Sequence, residues 1–157
     1  MNIFVLDEDP RQSAQYHCDR HVIKMILESA QILCTAAIAR GFDAPYKPTH
    51  AKHPCVIWAG ESFSNFRWLF VLGLALEAEH KFRWGEDRHH RSGDVIRALA
   101  HVEFEDIGRT PFVQAMPEQY RVPGDAVMAY RQYYNAEKAS FARWTRRPAP
   151  PWFNPAL

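Results

Sequence analysis

His17, His21, Lys24, Glu28, Gln31 and Thr35 follow one another at steps of three and four residues. At roughly 100° per residue they share one side of a helix. Val22, Ile23, Ile26, Leu27, Ala30, Leu33, Cys34, Ala37 and Ile38 make the rest of that helix apolar. So apolar a helix is expected inside the protein, because a surface helix needs a broad solvated face. Imidazoles, an ammonium and a carboxylate are costly to bury unless they pair or face water. The stripe is therefore expected to face a cleft as a general acid–base or nucleophile cluster. Glu28, His17 and His21 can exchange protons, and Lys24 carries an amine. The competing expectation is a buried, salt-bridged strip without chemistry.

Other polar groups suggest contacts with a nucleic acid. His53 stands in a proline-fixed loop, HPCVIW, that closes into a turn presenting His53 and Trp58, with Asn65 further along. Arg83, Arg88, His89, His90 and Arg91 form a basic knot. Residues 121 to 157 carry Arg121, Arg131, Lys138, Arg143, Arg146 and Arg147 against Asp125 and Glu137, interleaved with Tyr130, Tyr133, Tyr134, Trp144 and Trp152. Such a mixture suits phosphate contacts and base stacking, or equally core tyrosines beneath solvated arginines. The residues named for nucleic-acid contact are Arg20, His53, Trp58, Asn65, His89, Arg131, Lys138, Arg146, Arg147 and Trp152. His17 and His21 have a zinc-compatible spacing, but Cys18 stands where a zinc protease has glutamate and no third ligand is placed. No metal and no other cofactor is expected.

Elements that would position these groups are mostly helical. Asp9-Pro10 is a start signal, with Asp9 as N-cap and Pro10 at the first position. A break is expected near Cys18, with Asp19 capping the main helix and Gly41 ending it. Residues 43 to 55 read as a proline-rich loop. A second long pattern runs from Glu61 to Trp84, a short one from Asp94 to His101 and a last one from Asp125 to Trp144. Residues 2 to 6 are expected to be extended, and so is the tail RRPAPPWFNP, where proline excludes helix. The expectation is an all-α fold: one compact domain over residues 1–157, with about four main helices, long ordered loops and an extended C-terminal tail.

The 157 residues are 47% hydrophobic, enough for a sizeable core. No uninterrupted apolar run reaches the ~18 residues that span a bilayer, so no membrane is expected. The opening MNIFVLDEDP lacks the basic start of a secretory signal. Three cysteines with no CxxC spacing suit a reducing cytoplasm and no disulfide framework.

The pattern FVLDEDPRQSAQYHCDRHVIKMILESAQIL, then HPCVIW, then NFRWL, resembles phage and bacterial proteins grouped with pyrimidine-dimer DNA glycosylases of the endonuclease V type. TPFVQAMPEQY, AYRQYYNAEK and RRPAPPWF resemble phage members of that wider group. The resemblance covers most of the chain. It implies a compact all-α enzyme whose helix glutamate and α-amino group together excise a base and cut at the abasic site. His21 matches the helix histidine and Glu28, seven residues later, the essential glutamate. Leu27 and Gln31 stand where the family has arginines. Asn2 is larger than the residue the family exposes by removing methionine, so the amine here would be that of Met1, with Lys24 as the alternative. The resulting expectation is a glycosylase or lyase acting on a damaged or modified pyrimidine in DNA. The alternatives are a non-catalytic nucleic-acid-binding or host-interaction protein on the same scaffold, or an enzyme of free nucleotides.

Overall fold

Local signals account for where the helices begin. The Asp9 carboxylate accepts from the Arg11 N–H at 2.9 Å, and Pro10 opens α1 (Pro10–Tyr16). The computed structural model describes residues 1–155, and among them the regular structure is helical, with no strand. After a break at His17 and Cys18 comes α2 (Asp19–Ala39), capped by Cys18 rather than Asp19. Gly41 follows its last turn at φ +91°, a left-handed conformation that favours glycine. The remaining helices are α3 (Pro54–Glu61), α4 (Phe63–Trp84), α5 (Arg91–Arg97) and α6 (Ala126–Tyr133), with a 3₁₀ turn at Glu118–Tyr120.

Several boundaries differ from those the sequence suggests. HPCVIW is not a closing loop but the start of α3: Pro54 takes the first position and the His53 ring accepts from the Cys55 N–H at 3.1 Å. α4 begins at Phe63 rather than Glu61, because Ser62 is extended at φ −152°. Its N-terminus is capped from a distant loop. Asp106 accepts from the Ser64 N–H at 3.1 Å and from the Ser62 hydroxyl at 2.8 Å. The Ser64 hydroxyl, 2.7 Å away, then the Ser62 hydroxyl and the Gly108 N–H, hold the Asp106 carboxyl down to about 2. α5 occupies Arg91–Arg97, starting from the His90 ring, which accepts from the Ser92 N–H. The last helix is shorter than expected, since α6 widens after Tyr133 into a π turn, Tyr134–Lys138.

α2 and α4 form the central pair, with α1 against α4 and α3 and α5 against α2. Gly73 lets α4 lie close to α5: a Cβ there would sit 2.7 Å from Ile96 Cδ1, while Ser29 Cβ on α2 would be in ordinary contact at 3.5 Å. By length and composition α2 is apolar enough to cross a membrane, with mean hydropathy 1.6, yet 67% of that stretch is buried among the other elements. Packing inside the protein accounts for its apolarity. The segment at the chain start packs into the core: Ile3, Phe4, Val5 and Leu6 are all buried. Phe4 stacks on His21 at 4.3 Å and meets Tyr130 and Tyr134 edge-on. The tail crosses the start of α2, where the Arg143 carbonyl accepts from the Asp19 N–H at 2.7 Å and Trp144 donates to the Tyr16 carbonyl at 2.9 Å.

Candidate active site

Glu28 is the point where distant parts of the chain meet. It lies in the middle of α2 and is only 8% exposed. Helix geometry alone brings Lys24 to it, one turn earlier, with Nζ 3.6 Å from Oε2. The other oxygen is engaged by the beginning of the chain. The Asn2 N–H donates to Oε1 at 2.9 Å, and the Met1 α-amino nitrogen lies 3.5 Å from the same atom. Lys24 is largely exposed, 64% by side chain, whereas the Met1 side chain is buried to 4%. One carboxylate thus stands between the α-amine of the chain and a solvated lysine amine.

His53 belongs to the same neighbourhood. Its imidazole is held below the ordinary range chiefly by partial burial and secondly by the Met1 ammonium, with Glu28 opposing. Burial pushes the Cys55 thiol up to about 11, which leaves it protonated beside the same two charges. Asn2, Cys55 and Tyr130 were not singled out as site residues from the sequence. Nothing in their spacing marks them, because each reaches the site through tertiary contact.

The histidines of the α2 stripe do not face a cleft with Glu28. His17 and His21 are buried in the core. His17 Nδ1 bonds to the Ser13 carbonyl at 2.6 Å, and His21 Nδ1 to the Tyr134 hydroxyl at 2.6 Å. Burial pushes His17 down to about 4; burial, then the charges of His17 and Lys138, push His21 down to about 3. Both rings are therefore neutral in the fold. Helix α2 is rotated so that Arg20, Ile23, Lys24 and Leu27 point outward instead. Ile23 and Leu27 are 45% and 40% exposed, flanking Lys24 and Glu28.

This rotation makes acid sensitivity predictable. The folded forms of His17 and His21 titrate below the ordinary 6.5, so between those values the unfolded chain binds more protons. Stability from keeping them neutral is complete above about pH 6.5 and is lost as pH falls towards 4 and then 3. Each ring contributes a slope of up to about 1.4 kcal/mol per pH unit in that window. Urea unfolding followed down the acid range should show it. A His21→Phe variant keeps the stack on Phe4 and should show a shallower decline; an unchanged slope would trace the sensitivity to other groups.

Most residues named for nucleic-acid contact serve the fold. The Trp58 indole donates to the Thr110 carbonyl at 3.3 Å, and Asn65 donates to the Trp58 carbonyl and Thr110 hydroxyl at 2.8 Å each. Both are buried. Arg131 binds the Leu6 carbonyl at 2.9 Å and Asp7 at 3.2 Å. Arg147 grips buried Glu79 at 2.8 and 3.1 Å. Arg146 donates to the Phe82 carbonyl, and Lys138 sits 4.7 Å from the Tyr133 ring centre. His89 pairs with Asp94 at 2.8 Å on the surface. Trp152 is half-buried and lines a cleft of about 760 Å³ with Tyr120, Gln132 and Asn135. Arg20 is exposed, its guanidinium 3.9 Å from the Phe141 ring centre, and continues the Lys24–Glu28 row by one turn. Neither the 760 Å³ cleft nor one of about 470 Å³ between Arg11, Phe82 and Arg147 is lined by Glu28. The Glu28 side chain itself is 11% exposed. No family model, no curated protein and no solved structure matches the chain.

Proposed function

We propose that this protein processes DNA bases as a glycosylase with lyase activity, using an amine beside Glu28 as nucleophile. The observation that carries the reading is the Met1 α-amino group 3.5 Å from a nearly buried carboxylate, joined there by Lys24. The pairing of a helix glutamate with the α-amino group is what the resemblance of the α2 region to pyrimidine-dimer glycosylases implies. The neutral amine attacks C1′ of the nucleotide; the N–C1′ bond forms as the glycosidic bond breaks, and the base leaves with the bonding electrons and takes a proton from water. Glu28 stabilises the positive charge developing on the sugar and takes the amine's proton. Glu28 passes that proton to O4′ as the sugar ring opens to an imine, and loss of a C2′ proton to water expels the 3′ phosphate. Reaching C1′ requires drawing the nucleotide from the stack, at a few kcal/mol. Exposed Ile23 and Leu27 offer an apolar surface beside the reacting groups, and Arg20 offers a phosphate contact.

Borohydride trapping on duplexes carrying an abasic site or a damaged pyrimidine, followed by peptide mapping, tests the reading. The adduct is expected on Met1 or on Lys24, and its absence from every duplex defeats the lyase mechanism. Binding is tested separately: Arg20→Ala should flatten the salt dependence of duplex affinity by about 0.9 in log–log slope. An unchanged slope would remove Arg20 from the interface. The net charge of only +1 favours, as a second reading, an enzyme of free nucleotides, because duplex binders usually carry a larger basic excess. No gel shift with duplex, together with release of base from a nucleoside, would select it.

A further inference from the structure

The contact between the chain start and Glu28 depends on a side chain that the chemistry above does not use. The Asn2 carboxamide has its donor and its acceptor engaged. Nδ2 donates to the Ala115 carbonyl at 2.9 Å. Oδ1 accepts from the Ile3 N–H at 2.8 Å, from the Tyr130 hydroxyl at 2.8 Å and, weakly, from the Cys55 thiol at 3.9 Å. Tyr130 is fully buried; its one hydroxyl proton has the Val113 carbonyl at 3.1 Å as a second acceptor beside Asn2, and its oxygen accepts from the Ala115 N–H at 3.2 Å. One side chain therefore ties the chain start to α3, to α6 and to the loop at 113–115, while its own N–H binds Glu28.

Terminal residues are poorly ordered unless tied down, and reactive groups lose rate steeply when misplaced. Asparagine combines a donor and an acceptor in one short side chain. Aspartate would lack the donor for Ala115, and leucine would lack both. We propose that Asn2 and Tyr130 are the positioning residues of this site, holding the backbone of residues 1 and 2 so that the Met1 amine stays against Glu28. The inference rests on the reading that this amine is the nucleophile.

Competitive acetylation, resolved by mass spectrometry, tests the geometry without any substrate. In the parent, Met1 should label more slowly than it does in the urea-unfolded chain, with exposed Lys47 and Lys52 as internal standards. In Asn2→Leu and in Tyr130→Phe, Met1 labelling should rise severalfold while both lysines keep their rates. With an abasic-site duplex and borohydride, the trapping rate at saturating DNA should fall roughly 10- to 100-fold, with half-saturation unchanged. Tyr130→Phe deletes one oxygen, so it decides the matter if Asn2→Leu loosens the whole chain and speeds lysine labelling too. Unchanged Met1 labelling in Tyr130→Phe overturns the inference, and so does faster labelling with an undiminished trapping rate. A parent that labels as expected but never traps overturns only the lyase reading, since the labelling ratio still decides whether Asn2 and Tyr130 hold the amine.

Discussion

Glu28→Gln is expected to slow adduct formation and strand cleavage by roughly 10²–10⁴-fold, the usual span for losing a positioned acid–base group. The substitution keeps the side chain's size and its capacity to accept the Asn2 N–H now at 2.9 Å. It removes the negative charge that faces Met1 N at 3.5 Å and Lys24 Nζ at 3.6 Å. A neutral amide neither takes the amine's proton nor stabilises a cationic sugar. The melting temperature should fall only modestly: the solvated Lys24 pair is worth little to stability and the Asn2 N–H keeps its acceptor, although the Met1 ammonium loses its counter-charge. Single-turnover kinetics on the duplex that the parent traps best, with melting followed in parallel, separate the two effects. Full activity in Glu28→Gln would refute the mechanism. Loss of activity together with a large loss of stability would assign Glu28 to the fold instead.

The largest stability effect is expected at Arg83, far from Glu28 in role. Its side chain is completely buried, with NH1 2.9 Å from Asp19 and Nε 2.9 Å from Glu79. Its third group, NH2, donates to the Gln15 carbonyl at 3.0 Å. Arg147 supplies the second cation on Glu79, so two acids and two arginines balance. Arg83→Met removes one cation and leaves Glu79, whose side chain is only 4% exposed, half-compensated. Breaking a buried pair in this way costs about 3–5 kcal/mol, a large part of the 5–15 kcal/mol total of a typical domain. Urea denaturation should show the midpoint falling accordingly. The exposed Arg109–Glu8 pair, 35% and 67% accessible, is the contrast: Arg109→Ala should cost no more than about 1 kcal/mol. Equal losses at both positions would mean that the Arg83 network is solvated.

Much of the architecture is local and was therefore legible in the sequence. The Asp9-Pro10 start, the break before Asp19, the end of α2 at Gly41 and the span of α4 depend on caps, prolines and a period of 3.6. The Lys24–Glu28 pair follows from helix geometry whatever surrounds it. The N-cap function of His53 was missed because proline after a polar residue signals a turn and a helix start alike. The π turn after Tyr133 has no short-range signature either; it sets Tyr134, whose hydroxyl meets His21.

Sequence periodicity put His17, His21, Lys24 and Glu28 on one side of α2, but only tertiary packing decided which part of that side meets solvent. Phe4 and Tyr134 close over the histidines, while Ile23 and Leu27 stay uncovered. The same packing turned Trp58, Asn65, Arg131 and Arg147, which by type suit a nucleic acid, inward onto carbonyls and a carboxylate. Most decisively, it brought Met1 and Asn2 to Glu28 across 26 residues of sequence. Residue type and spacing fix what a side chain can bond and which neighbours on its own helix it meets. Which partner it receives depends on backbone carbonyls and side chains from remote segments, and the burial of the chain start between α2 and α6 is what delivers an amine to the carboxylate.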